Sequence, residues 1–303
     1  MTNFNLVKNK NYFLIFSGIL IATSLTALLM WGLKPGLDFT GGSLLEVQFK
    51  GSVPTSQIVE QKISSLTEKP LIIPTDNQGF IIKMKAVDEQ KHQQILVSLN
   101  ELSAEGLQEK RFEMIGPTVS SELRTKSFMA IVFVLLAIIA YIAFAFRKVS
   151  RPISSWKYGV CAVLALFHDV IIPTGVFAAL GHFLGVEVDT LFVTALLTVL
   201  GFSVHDTIVV FDRIRENLLK FPRETFDEVV NRSVNQTFVR SINTSLTVLL
   251  VLLATFFFGG ESVKYFVLTL IVGVVFGTYS SIFIASPLLV MWNRLNKKVA
   301  VRR

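Results

Sequence analysis

Two His-Asp pairs, His168-Asp169 and His205-Asp206, lie inside long apolar stretches of the sequence. A charged side chain at bilayer depth is costly, and it usually serves transport or pairs with another polar group. A third polar stretch begins at Arg240 and continues through several Ser, Asn and Thr residues. A carboxylate that the membrane desolvates, but that an arginine can approach, is able to load and release protons as helices move. The pattern therefore predicts a proton relay built on Asp206 and Arg240.

Other polar side chains of these stretches are predicted to support the relay: His168, Asp169, His205, Thr207, Asn243, Thr244 and Thr247. One alternative is that the His-Asp pairs only hold helices together through hydrogen bonds to neighbouring hydroxyls. Another is an intramembrane aspartyl protease with Asp169 and Asp206 as a pair sharing one proton. Such enzymes carry their aspartates in Tyr-Asp and Gly-x-Gly-Asp motifs, and neither Asp169 nor Asp206 stands in one. The His-Glu-x-x-His motif of metalloproteases does not occur either. We therefore expect no catalytic residue and no metal site.

The elements that must position these residues are membrane spans. With 51% hydrophobic and 17% charged residues, the chain is too apolar for a soluble protein. Six segments approach or exceed the roughly 20 residues needed to cross a bilayer: residues 12–32, 127–146, 157–180, 190–210, 241–258 and 265–292. In a straight third span, Asp169 lies about 18 Å deep, near the middle of the membrane. The prediction is a polytopic α-helical membrane protein with six spans.

Basic residues orient these spans. The loops on the side of the termini are rich in Lys and Arg. The two short loops on the opposite side, 181–189 and 259–264, contain a single Lys or Arg residue, Lys264. Short loops follow the positive-inside rule, so both termini are expected in the cytoplasm. The net charge of +7 is then a topological signal, and no nucleic-acid partner is expected. The predicted division is a cytoplasmic N-terminus with the first span, an extracytoplasmic domain, the other five spans and a basic cytoplasmic tail: residues 1–32, 33–125, 126–293 and 294–303.

The inserted segment 33–125 alternates strand-like and helix-like patterns. Strands are predicted at residues 43–49, 70–74, 80–85 and 110–115, and helices at 55–67 and 88–102. Residues 76–79, Asp-Asn-Gln-Gly, are predicted to form the turn between the middle strands. The order βαββαβ indicates an α+β ferredoxin-like fold. Its single histidine, His92, stands among polar residues of the sequence, which does not favour a metal or catalytic site there.

Two connecting segments carry further patterns. Gly36, Asp38, Gly41 and Gly42 belong to a glycine-rich motif at the start of the domain, which predicts a structural hinge. A phosphate-cradling loop is the alternative, but no Lys-Ser/Thr pair follows. The segment 211–240 contains a capping-box spacing and an apolar stripe, which predict an amphipathic helix on the cytoplasmic membrane face.

Five motifs occur in a fixed order along the chain: the glycine-rich motif 36–42, Gly116-Pro117-Thr118-Val119 before the second span, His168-Asp169 in the third, 201–217 in the fourth, and 235–237 with 240–247 in the fifth. Taken together, these motifs resemble those of the SecF family, whose members work with SecD beside the bacterial secretory translocon. The resemblance covers essentially the whole chain. It implies an RND-superfamily membrane fold in which this chain is one six-span half and SecD is the pseudo-symmetric other.

The resemblance also implies a function, a location and partners. The family assists preprotein translocation through SecYEG and SecA in the bacterial cytoplasmic, or inner, membrane. It uses the proton-motive force, with protons in place of a cofactor, and its proton-path Asp and Arg fall on Asp206 and Arg240. The implied partners are SecD, SecYEG, accessory subunits of the YidC or YajC type, the translocating preprotein and membrane lipids. An RND-type exporter half for lipids or small molecules and a passive assembly factor remain as alternatives.

Overall fold

The structure of the chain is a computed structural model, and it describes residues 5–68, 70–75, 78–146 and 155–301. In chain order the elements are α1 (Leu6–Trp31), α2 (Leu37–Thr40), β1 (Gly42–Phe49), α3 (Ser56–Ile63), β2 (Leu71–Thr75), β3 (Gly79–Met84), α4 (Glu89–Asn100), β4 (Leu107–Ile115), α5 (Pro117–Ala145), α6 (Ser155–Leu184), α7 (Thr190–Lys220), α8 (Phe226–Phe258), α9 (Glu261–Ser280), a π-helical segment (Ser281–Ala285) and α10 (Ser286–Val301). They form two compact units. Pro35–Phe128 is the α+β domain, and Met1–Lys34 with Met129–Arg303 is the helical unit.

The expected membrane spans are confirmed. Among the described residues, six helical segments are long and apolar enough to cross a membrane: Leu6–Trp31, Pro117–Ala145, Trp156–Leu184, Thr190–Lys220, Phe226–Phe258 and Ser262–Leu295. The largest differences from the prediction are in the second, fourth and fifth spans, because α5 already begins at Pro117, α7 continues to Lys220 and α8 already begins at Phe226. The sixth span passes through the π-helical segment Ser281–Ala285 without a break.

The prediction that 211–240 holds a helix on the membrane surface is wrong. The capping box of Thr225 and Glu228 forms as expected, but it starts α8, which then runs on without interruption. The apolar stripe of this segment is buried inside the helical unit, against residues of α1 and α7. The stripe and the residues that cover it are Phe226, Val230, Val234, Leu6, Phe211 and Ile214. Because other helices cover the stripe, it cannot face lipid.

The α+β domain has the predicted βαββαβ order. Within the described residues its strands form one antiparallel sheet in the order β2-β3-β1-β4, which is the ferredoxin-like arrangement. Leu45 at the centre of β1 pairs with Ile82 of β3 and Phe112 of β4. The helices α3 and α4 add Val59, Ile63, Ile95 and Leu99 to the same apolar core. Asp76 and Asn77 of the predicted turn lie outside the described residues.

Candidate functional site

Asp206 lies on the buried face of α7, at a point where three helical segments meet. The residue is 8% exposed. Ser241 of α8 donates a hydrogen bond to Oδ1 over 2.6 Å, and Ser281 of the π-helical segment donates to Oδ2. Both oxygens of the carboxylate are therefore held by hydroxyl groups from neighbouring elements.

Asp169 of α6 has an equally polar but more enclosed setting. Its side chain is 0% exposed. The Nδ1 atom of His168 lies 2.9 Å from Oδ1, while the hydroxyls of Ser203 and Ser280 donate to Oδ2, the latter over 2.7 Å. Thus α6, α7 and α9 are joined at this carboxylate.

The two carboxylate clusters adjoin each other. Ser280 and Ser281 are consecutive residues, and Ser203 lies three residues before Asp206 on the same helix. Within the described residues no hydrogen bond joins the two carboxyl groups directly, which does not favour the protease hypothesis of a shared proton. Each carboxylate is instead hydrogen-bonded to its own two serine hydroxyls, and the two sets of serines are connected only along the backbone.

The sequence-predicted residues divide into two groups. Asp206, Asp169, His168 and Thr207 are buried in the helical unit, although no partner for the Thr207 hydroxyl is found in the part of the chain that the structure describes. The other group is exposed on the helical unit: His205, Arg240, Asn243, Thr244 and Thr247. The hydroxyls of Thr244 and Thr247 bond to carbonyls of their own helix, at Arg240 and Thr244.

Arg240 does not contact Asp206 in this structure. Among the described residues no hydrogen bond or ion pair joins the two side chains, and the next residue, Ser241, faces the carboxylate instead. Arg240 lines a polar cavity of about 330 Å³ between α7 and α8. The other lining residues are Val209, Asp212, Arg213, Glu216, Gln236 and Thr237. Since Val209 is three residues from Asp206, this cavity begins about one helical turn from the carboxylate.

Four serines bond to the two carboxylates but were not among the residues predicted from the sequence: Ser203, Ser241, Ser280 and Ser281. Serine in a membrane helix commonly bonds to a carbonyl of its own preceding turn, so its presence alone does not reveal a partner. A usable signal did exist in the Ser-Ser pair at 280–281, which interrupts an otherwise apolar span.

The glycine-rich motif adopts a backbone that requires glycine. Gly41 and Gly42 have φ angles of 70° and 131°. A Cβ atom on Gly42 would lie 2.6 Å from the carbonyl oxygen of Met84. Gly36 caps the short helix α2, whose first turn contains Asp38. These features explain the glycines as a tight entry into β1, and the hinge role stays a prediction.

Family models match most of the chain. The model described as "Protein export membrane protein SecD/SecF, C-terminal" matches residues 95–295, and the "SecD/SecF GG Motif" matches residues 31–53. The second match contains the glycine-rich motif, and the first contains both carboxylate clusters.

Relatives of known name agree with these matches. The chain is 45% identical to the protein translocase subunit SecF of Thermobaculum terrenum, over 95% of this chain and 93% of that protein. It is 37% identical to the SecF of Anaerolinea thermophila, over 95% of this chain and 94% of that protein.

Solved structures show the same fold in a longer chain. SecDF from Thermus thermophilus, a translocon-associated membrane protein, superposes with a TM-score of 0.80 at 31% identity. That match covers 96% of this chain and 39% of the SecDF chain, so this chain spans about two fifths of the matched SecDF. SecDF in a super-membrane-facing form matches with a TM-score of 0.71. The matched family model, the curated relatives and the fold agree, and the chain belongs to the SecF family of multi-pass membrane subunits of the protein-export machinery.

Proposed function

We propose that this SecF-family subunit couples proton flow across the membrane to protein export, with Asp206 as the group that takes up and releases the proton. The observation that carries the proposal is the carboxylate's setting: it is nearly buried between membrane helices and is held by the hydroxyls of Ser241 and Ser281. A hydroxyl donates to a carboxylate and can also accept from a carboxylic acid. Both charge states of Asp206 can therefore be accommodated without leaving a buried polar group unpaired.

Arg240 is the second member of the proposed relay. It precedes Ser241 on α8 and lines the polar cavity that begins one turn from Asp206. A rotation of α8 toward Asp206 would bring its guanidinium to the carboxylate, where a positive charge favours the ionised form and release of the proton. Approach and withdrawal of Arg240 would then link the protonation of Asp206 to helix movement.

The proposed partner inside the membrane is SecD. Polar side chains on a lipid-facing surface are costly because hydrocarbon offers no hydrogen-bond partners. The exposed His205, Arg240 and Asn243 therefore favour a covering partner of similar architecture. The matched SecDF chain, of which this chain spans 39%, contains enough additional length for such a second half.

The remaining proposals concern orientation and assembly. The termini are placed in the cytoplasm and the α+β domain outside it, because the basic residues follow the positive-inside rule. Arg147, Lys148, Arg151, Arg302 and Arg303, which contribute to that argument, lie outside the described residues. The proposed wider partners are SecYEG with SecA, accessory subunits of the YidC or YajC type, the preprotein and membrane lipids.

The test compares Asp206→Asn with Asp227→Asn, a carboxylate outside the cavity that pairs with Arg294. Each variant is co-reconstituted with SecD and SecYEG, and proton flux and SecA-supported export are measured with and without an imposed proton gradient. We expect Asp206→Asn to lose the gradient-dependent part of both signals and Asp227→Asn to retain it. Retained proton flux and retained gradient-driven export in an assembled Asp206→Asn complex would favour a passive assembly role instead.

A further inference from the structure

We infer that Asp169 is a positioning residue for Asp206, and that it acts through Ser203 and the consecutive hydroxyls of Ser280 and Ser281. The inference rests on the proposed role of Asp206 and extends it to a second carboxylate on another helix. Its basis is a pair of contacts: Asp169 is bonded to α7, which carries Asp206, and to the residue before Ser281, which is bonded to Asp206.

The first contact is with the helix that carries Asp206. Ser203 of α7 donates a hydrogen bond to Oδ2 of Asp169, and it lies one turn before Asp206 on that helix. The helices α7 and α9 are close at this level, since a Cβ atom on Gly277 would lie 3.1 Å from Cβ of Ser203. Asp169 therefore fixes the height and rotation of α7 next to Asp206.

The second contact is with the segment that supplies a hydroxyl to Asp206. Ser280 donates to Oδ2 of Asp169 over 2.7 Å, and the following residue, Ser281, donates to Oδ2 of Asp206. Here α9 passes into the π-helical segment Ser281–Ala285. Such π turns are uncommon and occur often at functional sites. Because one peptide bond joins the two serines, the bond that Ser280 donates to Asp169 also constrains the position of Ser281.

Both hydroxyls have a second acceptor within reach. Ser280 Oγ lies 3.1 Å from the Gly277 carbonyl oxygen, and Ser281 Oγ lies 3.0 Å from the Thr278 carbonyl oxygen. A serine hydroxyl has one hydrogen and can donate it to one acceptor at a time. When Asp206 is protonated, the Ser281 hydroxyl can turn to Thr278 and accept from the acid. The hydroxyl pair can thus follow the charge of either carboxylate without breaking the helix.

The burial of Asp169 supports a positioning role over direct proton exchange with solvent. Its side chain is 0% exposed, whereas Asp206 is 8% exposed and lies one turn from the polar cavity. Among the described residues, the ionisable groups in contact with the clusters are His168, whose Nδ1 faces Asp169, and Tyr279, whose ring lies 6.0 Å from that of His168. Arg240 and His205 are on the exposed surface. Asp169 is thus a fully enclosed carboxyl group on α6 that is also bonded to side chains of α7 and α9.

The test is the pH profile of gradient-driven export by the reconstituted complex with SecD and SecYEG. Ser280→Ala removes the link between Asp169 and the π-helical segment, and Asp169→Asn replaces the carboxyl group with an amide. Ser286→Ala is the matched control, because Ser286 is also fully buried and no hydrogen-bond partner of its hydroxyl is found among the described residues. Ser280→Thr keeps a hydroxyl and serves as the rescue variant.

We expect Ser280→Ala and Asp169→Asn each to displace the half-maximal pH by about one unit, the size expected when a hydrogen bond to a charged group is perturbed. Their double variant is expected to show less than the sum of the two displacements, because both act on the same contact. Ser280→Thr should restore the profile, and Ser286→Ala should leave it unchanged.

The outcomes separate this inference from the proposed function. If Asp206→Asn keeps the wild-type pH profile, the proposed function itself fails. If Asp206→Asn abolishes gradient-driven export but Ser280→Ala leaves the half-maximal pH in place, only the positioning role is overturned. Ser280→Ala removes a single oxygen atom, so it decides the question even if Asp169→Asn does not assemble with SecD.

Discussion

At the centre of the α+β domain, Leu45, Ile82 and Ile95 are fully buried among other apolar side chains, whereas at the centre of the helical unit Asp169 and Asp206 are buried among serine hydroxyls. In water, removal of apolar surface from solvent drives folding. Between helices in lipid that gain is missing, so close packing and hydrogen bonds hold the unit together. The two interiors therefore differ in chemistry: the described core of the domain is apolar, whereas that of the helical unit contains hydrogen-bonded carboxyl groups.

The largest effect on stability is expected in the apolar core of the domain. Leu45→Ala removes a fully buried side chain from the central strand and should lower the free energy of unfolding by about 2–5 kcal/mol. Leu71→Ala, on the edge strand β2 where Leu71 is 50% exposed, should cost less than about 1 kcal/mol. Hydrogen exchange of the β1 and β3 amides, with the chain in lipid nanodiscs, measures both. Equal exchange in the two variants would contradict the assignment of this core.

A smaller effect is expected from close packing in the helical unit. A Cβ atom on Gly175 of α6 would lie 2.4 Å from Cβ and 2.5 Å from Cα of Ser24 on α1. Gly175→Ala must therefore separate the two helices, at a cost of about 1–3 kcal/mol. On the same helix, a Cβ atom on Gly159 would be 3.8 Å from its nearest neighbour, so Gly159→Ala should be neutral or slightly stabilising. Thermal unfolding in detergent distinguishes them, and an unchanged melting temperature for Gly175→Ala would contradict the contact between α1 and α6.

The two units also differ in how much of them could be predicted from sequence. Strand patterns place β1 and β3 within one residue of their observed bounds, because side chains on the two faces of a sheet alternate. The strand β4 starts at Leu107, earlier than the predicted 110, since the residues that follow Leu107 are exposed and show no alternation. Helix α3 ends at Ile63, before the predicted 67, because the chain turns away there.

In the helical unit the carboxylates could be found from sequence but their partners could not. A carboxylate within an apolar stretch can be recognised from the sequence alone, as Asp169 and Asp206 were. Consecutive residues of a helix point about 100° apart, so whether Arg240 or Ser241 faces Asp206 depends on the rotation of α8 in the packed unit. A π-helical segment shifts that rotation further. The pairing of Ser280 with Asp169 and of Ser281 with Asp206 therefore required coordinates.

Removing a helix-capping side chain should lower stability by about the same free energy in the two units, because the contacts of a cap are local. The Asp88 carboxylate accepts a bond from the Lys91 amide over 2.9 Å in the domain, and the Thr225 hydroxyl accepts one from the Glu228 amide over 3.3 Å in the helical unit. Asp88→Ala and Thr225→Ala should each cost about 1 kcal/mol. Thr55, the N-cap of α3, makes no side-chain capping bond, so Thr55→Ala should have little effect. Hydrogen exchange of first-turn amides measures all three, and a cost for Thr55→Ala equal to the others would contradict this explanation.

The smallest expected effect is the pH dependence of the domain through Glu89. Its carboxylate accepts a hydrogen bond from Gln93 and lies 3.2 Å from Nδ1 of the buried His92. Both contacts lower the pKa of Glu89 below its ordinary value of 4.5, and the bond from Gln93 has the larger effect. A lowered pKa means that ionised Glu89 stabilises the folded domain above pH 4.5 and that this contribution is lost as the pH falls through the lowered pKa.

In the Glu89→Gln variant, the free energy of unfolding of the domain should therefore decrease less as the pH falls, which gives a flatter acid limb of the stability profile. The fully enclosed Asp169 and its cluster should be unaffected. The effect is small because Glu89 is on the surface, where solvent screens its interactions. Glu60→Gln, an exposed change on α3, is the control. Hydrogen exchange of the β4 amides between pH 3 and pH 6, corrected for intrinsic exchange rates, gives the readout. If Glu60→Gln flattened the limb as much as Glu89→Gln, the effect would come from net charge, and the contacts of His92 and Gln93 would not be its cause.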